Sequence, residues 1–387
     1  MQPQTAQEYV EQGATFEESG DRWLGSDLSK ALRFFQRAFT LYTDGIKLSD
    51  KGYFDAYYNA SRLLFHVYTN FTKKDGVNFH LLTNVNEAID GSDRAVVQSL
   101  ENIIVAHQTA ILFAQQSSSS VPLDLLFNTV LVNTEDIETR NSNGDEFDAI
   151  LDISKYSLDF IGEVLDRQTA ALKVFVQELQ KAQTNLNGNE NIIHSSSESH
   201  QETHEVQGEE VLQPSDLFET ILVAYKLVQA LCESVGTQEQ AQVTQEFITP
   251  YILRLEPIAD ELVLNFTADN EFLQPVSSDQ LQDLQITKTC IQQTFENDFS
   301  ALSAAWDSEE LPKTPERYML AADNLQICLD RNEIDLTVEG DRAALLWANL
   351  TKRTNLYKSA IDLENQKVQE LKKLPSGQLE GLGEVIA

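Results

Sequence analysis

The chain is poor in the residues that punctuate and cross-link a fold. Its 387 residues include only 16 glycines, 9 prolines and 3 cysteines. Glycine and proline supply tight turns, so a chain that uses them sparingly has long elements, which means helices and excludes an all-β fold. Cys232, Cys290 and Cys328 are odd in number and far apart. They exclude a disulfide framework and a paired-cysteine zinc site, and read as small buried hydrophobes in a reducing compartment. Long apolar runs are missing too. Runs such as residues 221–225 fall far short of the ~20 needed to cross a bilayer. The opening MQPQTAQEYVEQ has neither the basic nor the apolar region of a secretory leader. A soluble, intracellular protein without membrane contact is the expectation.

Linear catalytic motifs are also lacking. No GxxxxGK[ST], GxGxxG, HExxH or GxSxG pattern occurs. Of six histidines, His194, His200 and His204 sit in one polar stretch; the i, i+4 pair His200 and His204 has no cysteine beside it. His66, His80 and His107 have no nucleophile that spacing would pair with them. Adjacent carboxylates such as Glu309 and Glu310 point apart on a helix. The expectation is therefore a non-enzyme without cofactor or metal.

Positive charge is the scarcest commodity. Against 61 Asp and Glu stand 28 Lys and Arg, a net charge of −33. Such a field repels phosphate backbones and anionic membrane surfaces, which disfavours direct nucleic-acid binding. The ends of the chain are nearly balanced, whereas residues 124–166 carry 11 acids against Arg140 and Lys155. Residues 256–310 carry 12 acids against Lys288 alone, and 184–213 hold six glutamates and no base. Clustering like charges costs folding energy, so these stretches predict a binding surface for a basic polypeptide. The candidates are Asp124, Glu135, Asp136, Asp145, Glu146 and Asp148 in the first stretch, and Asp279, Asp283, Glu296 and Asp298 in the second.

What is present is helical periodicity and enough apolar residues, 42 %, to fill a core. Leu28, Ala31, Leu32, Phe35, Ala38, Phe39 and Tyr42 follow the i, i+3, i+4, i+7 stripe of an amphipathic helix. Similar stripes span residues 53–71, 84–115, 123–137, 147–183, 216–235, 238–266, 279–306, 315–334 and 341–374. Pro250 and Pro257 fall inside one of them and predict a break or kink. The sequence thus predicts an all-α fold of stacked antiparallel helical hairpins: repeats over 1–183 and 214–374, a disordered acidic insertion at 184–213, and a tail at 375–387.

The first helices carry a further pattern. Phe16, Gly20 and Trp23, then Ala31, Phe35 and Ala38, then Tyr57, Ala60, Ser61 and Leu64 alternate large and small residues. This resembles the tetratricopeptide repeat, an α-solenoid in which small residues let helices approach and aromatics fill the hollows. Proteins of that family bind peptides in a groove, and one sub-class clamps the carboxylate end of heat-shock chaperones. Asn59 matches one clamp position, but Ala14 and Glu18 occupy others, and Glu18 would repel a carboxylate. Together with the acidic balance, the chain resembles the fungal-type dedicated chaperones that accompany newly made ribosomal proteins. That resemblance implies a basic ribosomal-protein client and passage between cytoplasm and nucleus. A structural adaptor subunit, with acid serving solubility alone, is the other reading.

Overall fold

The computed structural model describes residues 3–48, 54–74, 77–117, 120–144, 146–188, 211–268, 272–331 and 341–373. Among them the fold is all-α, with thirteen helices and no strand. They are α1 (Ala6–Leu24), α2 (Leu28–Leu48), α3 (Phe54–Val67), α4 (Asn86–Ile89), α5 (Leu100–Ser117), α6 (Leu123–Asn143) and α7 (Phe147–Gly188). After residues 189–210 follow α8 (Pro214–Glu233), α9 (Gln238–Asn265), α10 (Ser278–Thr294), α11 (Phe299–Trp306), α12 (Pro315–Arg331) and α13 (Asp341–Leu371). Of the stretch assigned to an acidic insertion, residues 189–210 lie outside the described residues, as does the tail assigned to 375–387.

The helices pair in chain order: α1 with α2, α3 with α5, α6 with α7, α8 with α9, α10 with α11 and α12 with α13. The first members also touch along a row, α1 to α3 to α6 to α8 to α10 to α12. The helix starts are chemically marked. Thr5 with Glu8, Thr237 with Gln240, and Ser277 with Gln280 form reciprocal boxes that satisfy the free N–H groups of α1, α9 and α10.

Three expected helices differ. Residues 84–99 form turns and the short α4, because Gly91 adopts φ 74° and the Asp90 carboxylate takes the Ser92 N–H. Gln36 of α2 holds this loop at both ends of its amide, donating to the Arg94 carbonyl at 2.8 Å and accepting from the Val96 N–H at 2.9 Å. The 279–306 stripe breaks into α10 and α11, since Glu296 captures the Asn297 and Asp298 N–H groups and Asp298 caps α11. Of the break or kink expected at Pro250 and Pro257, no break occurs, and α9 runs through both. The carbonyls they leave without a donor belong to Glu246 and Leu253, both exposed, where water can serve them.

Helix α8 organises the core. It packs on α6, α7, α9 and α10, and fourteen of its twenty residues are buried, so it can be polar along one line only. Phe218, Ile221, Leu222, Leu227 and Leu231 share one cluster with Val130, Ile137, Leu158 and Leu165 from before the 184–213 stretch. The core is therefore continuous across that stretch. The three cysteines are free and buried.

At the start of the chain, close approach is decided by single atoms. A Cβ on Gly20 would lie 2.4 Å from Cε1 of Phe35, a fully buried ring that meets His66 and Phe71 edge-on. Trp23, expected to fill a hollow, is instead 37 % exposed with the Lys30 ammonium 3.2 Å above its ring. Alanine gains up to ~1 kcal/mol over glycine in helix propensity, but overpacking a closed core costs ~1–3 kcal/mol. Gly20→Ala is expected to lower stability by about 1–2 kcal/mol. Gly25→Ala, where no atom lies within 4 Å, should be neutral or better. Urea midpoints of the two variants check this.

Candidate functional site: an acidic face across α6, α8, α10 and α12

On α8 the polar line is Glu219, Lys226, Gln229 and Glu233, the first two exposed and the last two half-buried. On α12 the equivalent line is Glu316, Met319, Asp323, Gln326 and Asp330. Seven residues are nearly two turns, so Glu219, Lys226 and Glu233, like Glu316, Asp323 and Asp330, stand in file ~10 Å apart. On α6 the same spacing links Asp124 to Leu131 and Glu138.

The carboxylates of these files feel one another. Glu233 is raised to about 7, chiefly by burial; the amide of Gln229, bonded at 2.9 Å, opposes the rise, and Asp323 and Glu138 add to it. Burial also raises Glu316, with Lys226 opposing and Asp283 of α10 adding. Asp323 is raised by burial, while the Tyr357 hydroxyl bonded at 3.4 Å and Arg353 pull the other way. Glu138, Glu233, Asp283, Glu316 and Asp323, from α6, α8, α10 and α12, therefore lie near one another and form one acidic face. Glu219, bonded by the Gln280 amide of α10 at 3.4 Å, and Asp330 continue the files of α8 and α12, with Lys226 as the base within them.

Of the residues singled out from the sequence, Asp283 lies on this face beside Glu316, and Asp124 is exposed in file with Glu138 on α6. Glu135 is beside it, but it is 9 % exposed and engaged by Lys73, which also reaches Glu138 at 3.3 Å. Asp136 is equally buried and held by Arg140 at 3.0 Å. Glu146 and Asp148 are exposed at the start of α7, and Asp279 is exposed in the first turn of α10. Glu296 and Asp298 spend their carboxylates on backbone N–H groups. Asp145 lies outside the described residues, as do His194, His200 and His204. Sequence reasoning missed Glu138, Glu219, Glu233, Glu316 and Asp323. The seven-residue recurrence of charge on α8, a helix otherwise apolar, was the signal available.

A concavity of about 180 Å³ lies where α7, α8 and α9 meet, lined by Leu172, Val176, Leu217, Ile258, Leu262 and Phe266. Lys173 and Glu261 stand on its wall. Among the described residues no group of three His, Cys, Asp or Glu is placed to hold a metal ion, and no helix is long and apolar enough to cross a membrane.

No protein-family model matches the chain, and no solved structure matches it. A 118-residue stretch is 32 % identical to an uncharacterized protein of Saccharomyces cerevisiae, YNL193W, covering 28 % of this chain and 20 % of that one. The chain thus spans about a fifth of the length of the curated relative it matches.

The raised Glu233 has a signed consequence. In the unfolded chain it loses its proton near 4.5, in the folded chain near 7. Stability therefore falls as pH rises between those values and levels off above them. Glu233→Gln, which keeps the acceptor for Gln229, is expected to melt a few degrees higher than the parent at pH 8 and within about a degree of it at pH 4. Thermal melts at the two pH values check the difference.

Proposed function

We propose that this chain is a non-enzymatic binding protein that holds a basic polypeptide against the acidic face of α6, α8, α10 and α12. The observation that carries the reading is that Glu138 of α6 and Asp323 of α12 add to the rise of Glu233 on α8, and Asp283 of α10 to that of Glu316 on α12, so that acids of four separate helices lie near one another. Like charges gathered this way cost stability, and a cationic partner removes the cost on binding. The face is a tetratricopeptide-like groove in this reading, and a newly made ribosomal protein is the client that the acidic-chaperone resemblance implies. Work in both cytoplasm and nucleus goes with that client, as does shielding it from RNA.

Attraction between exposed charges is screened over a Debye length of ~10 Å at 0.1 M salt. Affinity for a lysine- and arginine-rich peptide should therefore fall steeply with ionic strength. Reversing the exposed Glu138, Glu219 and Asp330 to lysine is expected to weaken that peptide about tenfold or more, by summing pair terms of ~0.2–1 kcal/mol in each direction. Reversing the exposed Glu178, Glu239 and Glu246 on α7 and α9 changes net charge equally and should have a much smaller effect. Calorimetric titration of both triple variants decides it. Equal losses would mean that net charge alone attracts the peptide, and no loss in either would remove the reading.

The second reading, an adaptor subunit that joins proteins through apolar contacts, is favoured by one observation. Helix α13 leaves a row of large apolar side chains uncovered.

A further inference from the structure

Helix α13 has two apolar stripes where one would seat it. The stripe on α12 comprises Leu346, Asn349, Leu356, Ala360 and Leu363; Asn349 donates to the Leu325 carbonyl at 3.1 Å. Roughly a quarter-turn away runs another: Trp347, Leu350, Thr354, Tyr357, Ile361, Glu364, Val368 and Leu371. Their spacing alternates three and four residues, the seam of a coiled coil. Trp347 is 73 % exposed and Ile361 60 %, with Leu350 and Tyr357 above a third. A soluble helix rarely leaves so regular a seam in water.

The flanks say what would cover it. On one flank stand Arg353 and Lys367, engaged by the Gln326 amide and by Glu364. On the other are Thr351, Lys358, Asn365 and Lys372, and no ion pair within 4.0 Å is recorded for either lysine among the described residues. All four charges beside the seam are positive, in a chain of net charge −33. A second copy fits badly. Antiparallel pairing sets Lys358 and Lys372 against the same lysines, and parallel pairing sets Arg353 and Lys367 against Lys358 and Lys372. Glu364 within the seam is a polar position of the kind that fixes register.

We propose that the free seam of α13 is the docking site for an acidic amphipathic helix of a partner protein. That helix has apolar residues at seam positions and Asp or Glu toward Lys358 and Lys372. This inference does not rest on the basic-client reading: Tyr357 of the seam borders the acidic face at Asp323, but the charge sign and the partner differ, so either can fail alone.

The test uses the full chain at 0.15 M salt and two synthetic 28-residue heptad peptides. Both carry isoleucine and leucine at the seam positions; one has glutamate on both flanks, the other lysine. Trp347 is one of three tryptophans and reports its own burial by a blue shift in emission. The glutamate peptide is expected to bind with that shift at least tenfold more tightly than the lysine peptide. Ile361→Asp, an exposed change that leaves the melting temperature unmoved, should abolish binding, and Lys358→Glu with Lys372→Glu should reverse the preference. Equal affinity for the two peptides, or no binding of either, overturns the proposal. So does a concentration-dependent dimer in sedimentation that Ile361→Asp dissolves, which would make the occupant a second copy.

Discussion

The burial of α8 on nearly all sides is the constraint from which the rest follows. A helix enclosed by α6, α7, α9 and α10 cannot place charge freely, since an unpaired buried charge costs several kcal/mol. Its charged and amide side chains after the first turn, Glu219, Lys226, Gln229 and Glu233, therefore collapse onto one line. The same enclosure joins the residues before 184 to those after 213 in one core. Phe218 and Leu227, both fully buried, belong to that shared core.

The position of the acidic face follows from packing. Each helix of the row must bury its other sides, so whatever polar residues it has emerge on the same side as its neighbour's. What packing does not require is that they be carboxylates. A row of glutamines would satisfy solvent as well, without pushing Glu233 to about 7 or raising Asp323 and Glu316. The buried Glu17, by contrast, is paired with Arg62 at 2.6 Å and accepts from Tyr42 at 2.7 Å. Arg317, buried without an acid, is spent on the carbonyls of Trp306, Ser308 and Leu311 at the end of α11.

Helical class and most element positions were legible because periodicity is a local signal. The breaks were less so. Glu296 and Asp298 look like ordinary surface charge until their carboxylates are seen closing N–H groups between α10 and α11, and Asp90 with Gly91 interrupts a stripe whose apolar spacing survives the interruption. Counting acids along the chain favoured residues 124–166 and 256–310, which hold Glu138 and Asp283, but Glu219, Glu233, Glu316, Asp323 and Asp330 of this face lie outside both stretches. Glu135 and Asp136 are neighbours in sequence and both buried in ion pairs, whereas Glu233 and Asp323 lie 90 residues apart and meet only because α6, α8 and α12 are adjacent. On α13 two stripes blur into one weak pattern, so only the burial of Leu356 and exposure of Ile361 separate them.

The central claim is that the uncovered files of the row, and not acidity in general, receive a basic partner. Carbodiimide joins a carboxylate directly to an amine in contact with it, so cross-linking the full chain to a lysine-rich peptide and mapping the linked residues reads the claim directly. Links concentrated at Glu138, Glu219, Asp283, Glu316 and Asp330 are the predicted result. Links spread equally over exposed acids elsewhere, such as Glu11, Glu18, Glu239 and Glu246, would contradict it.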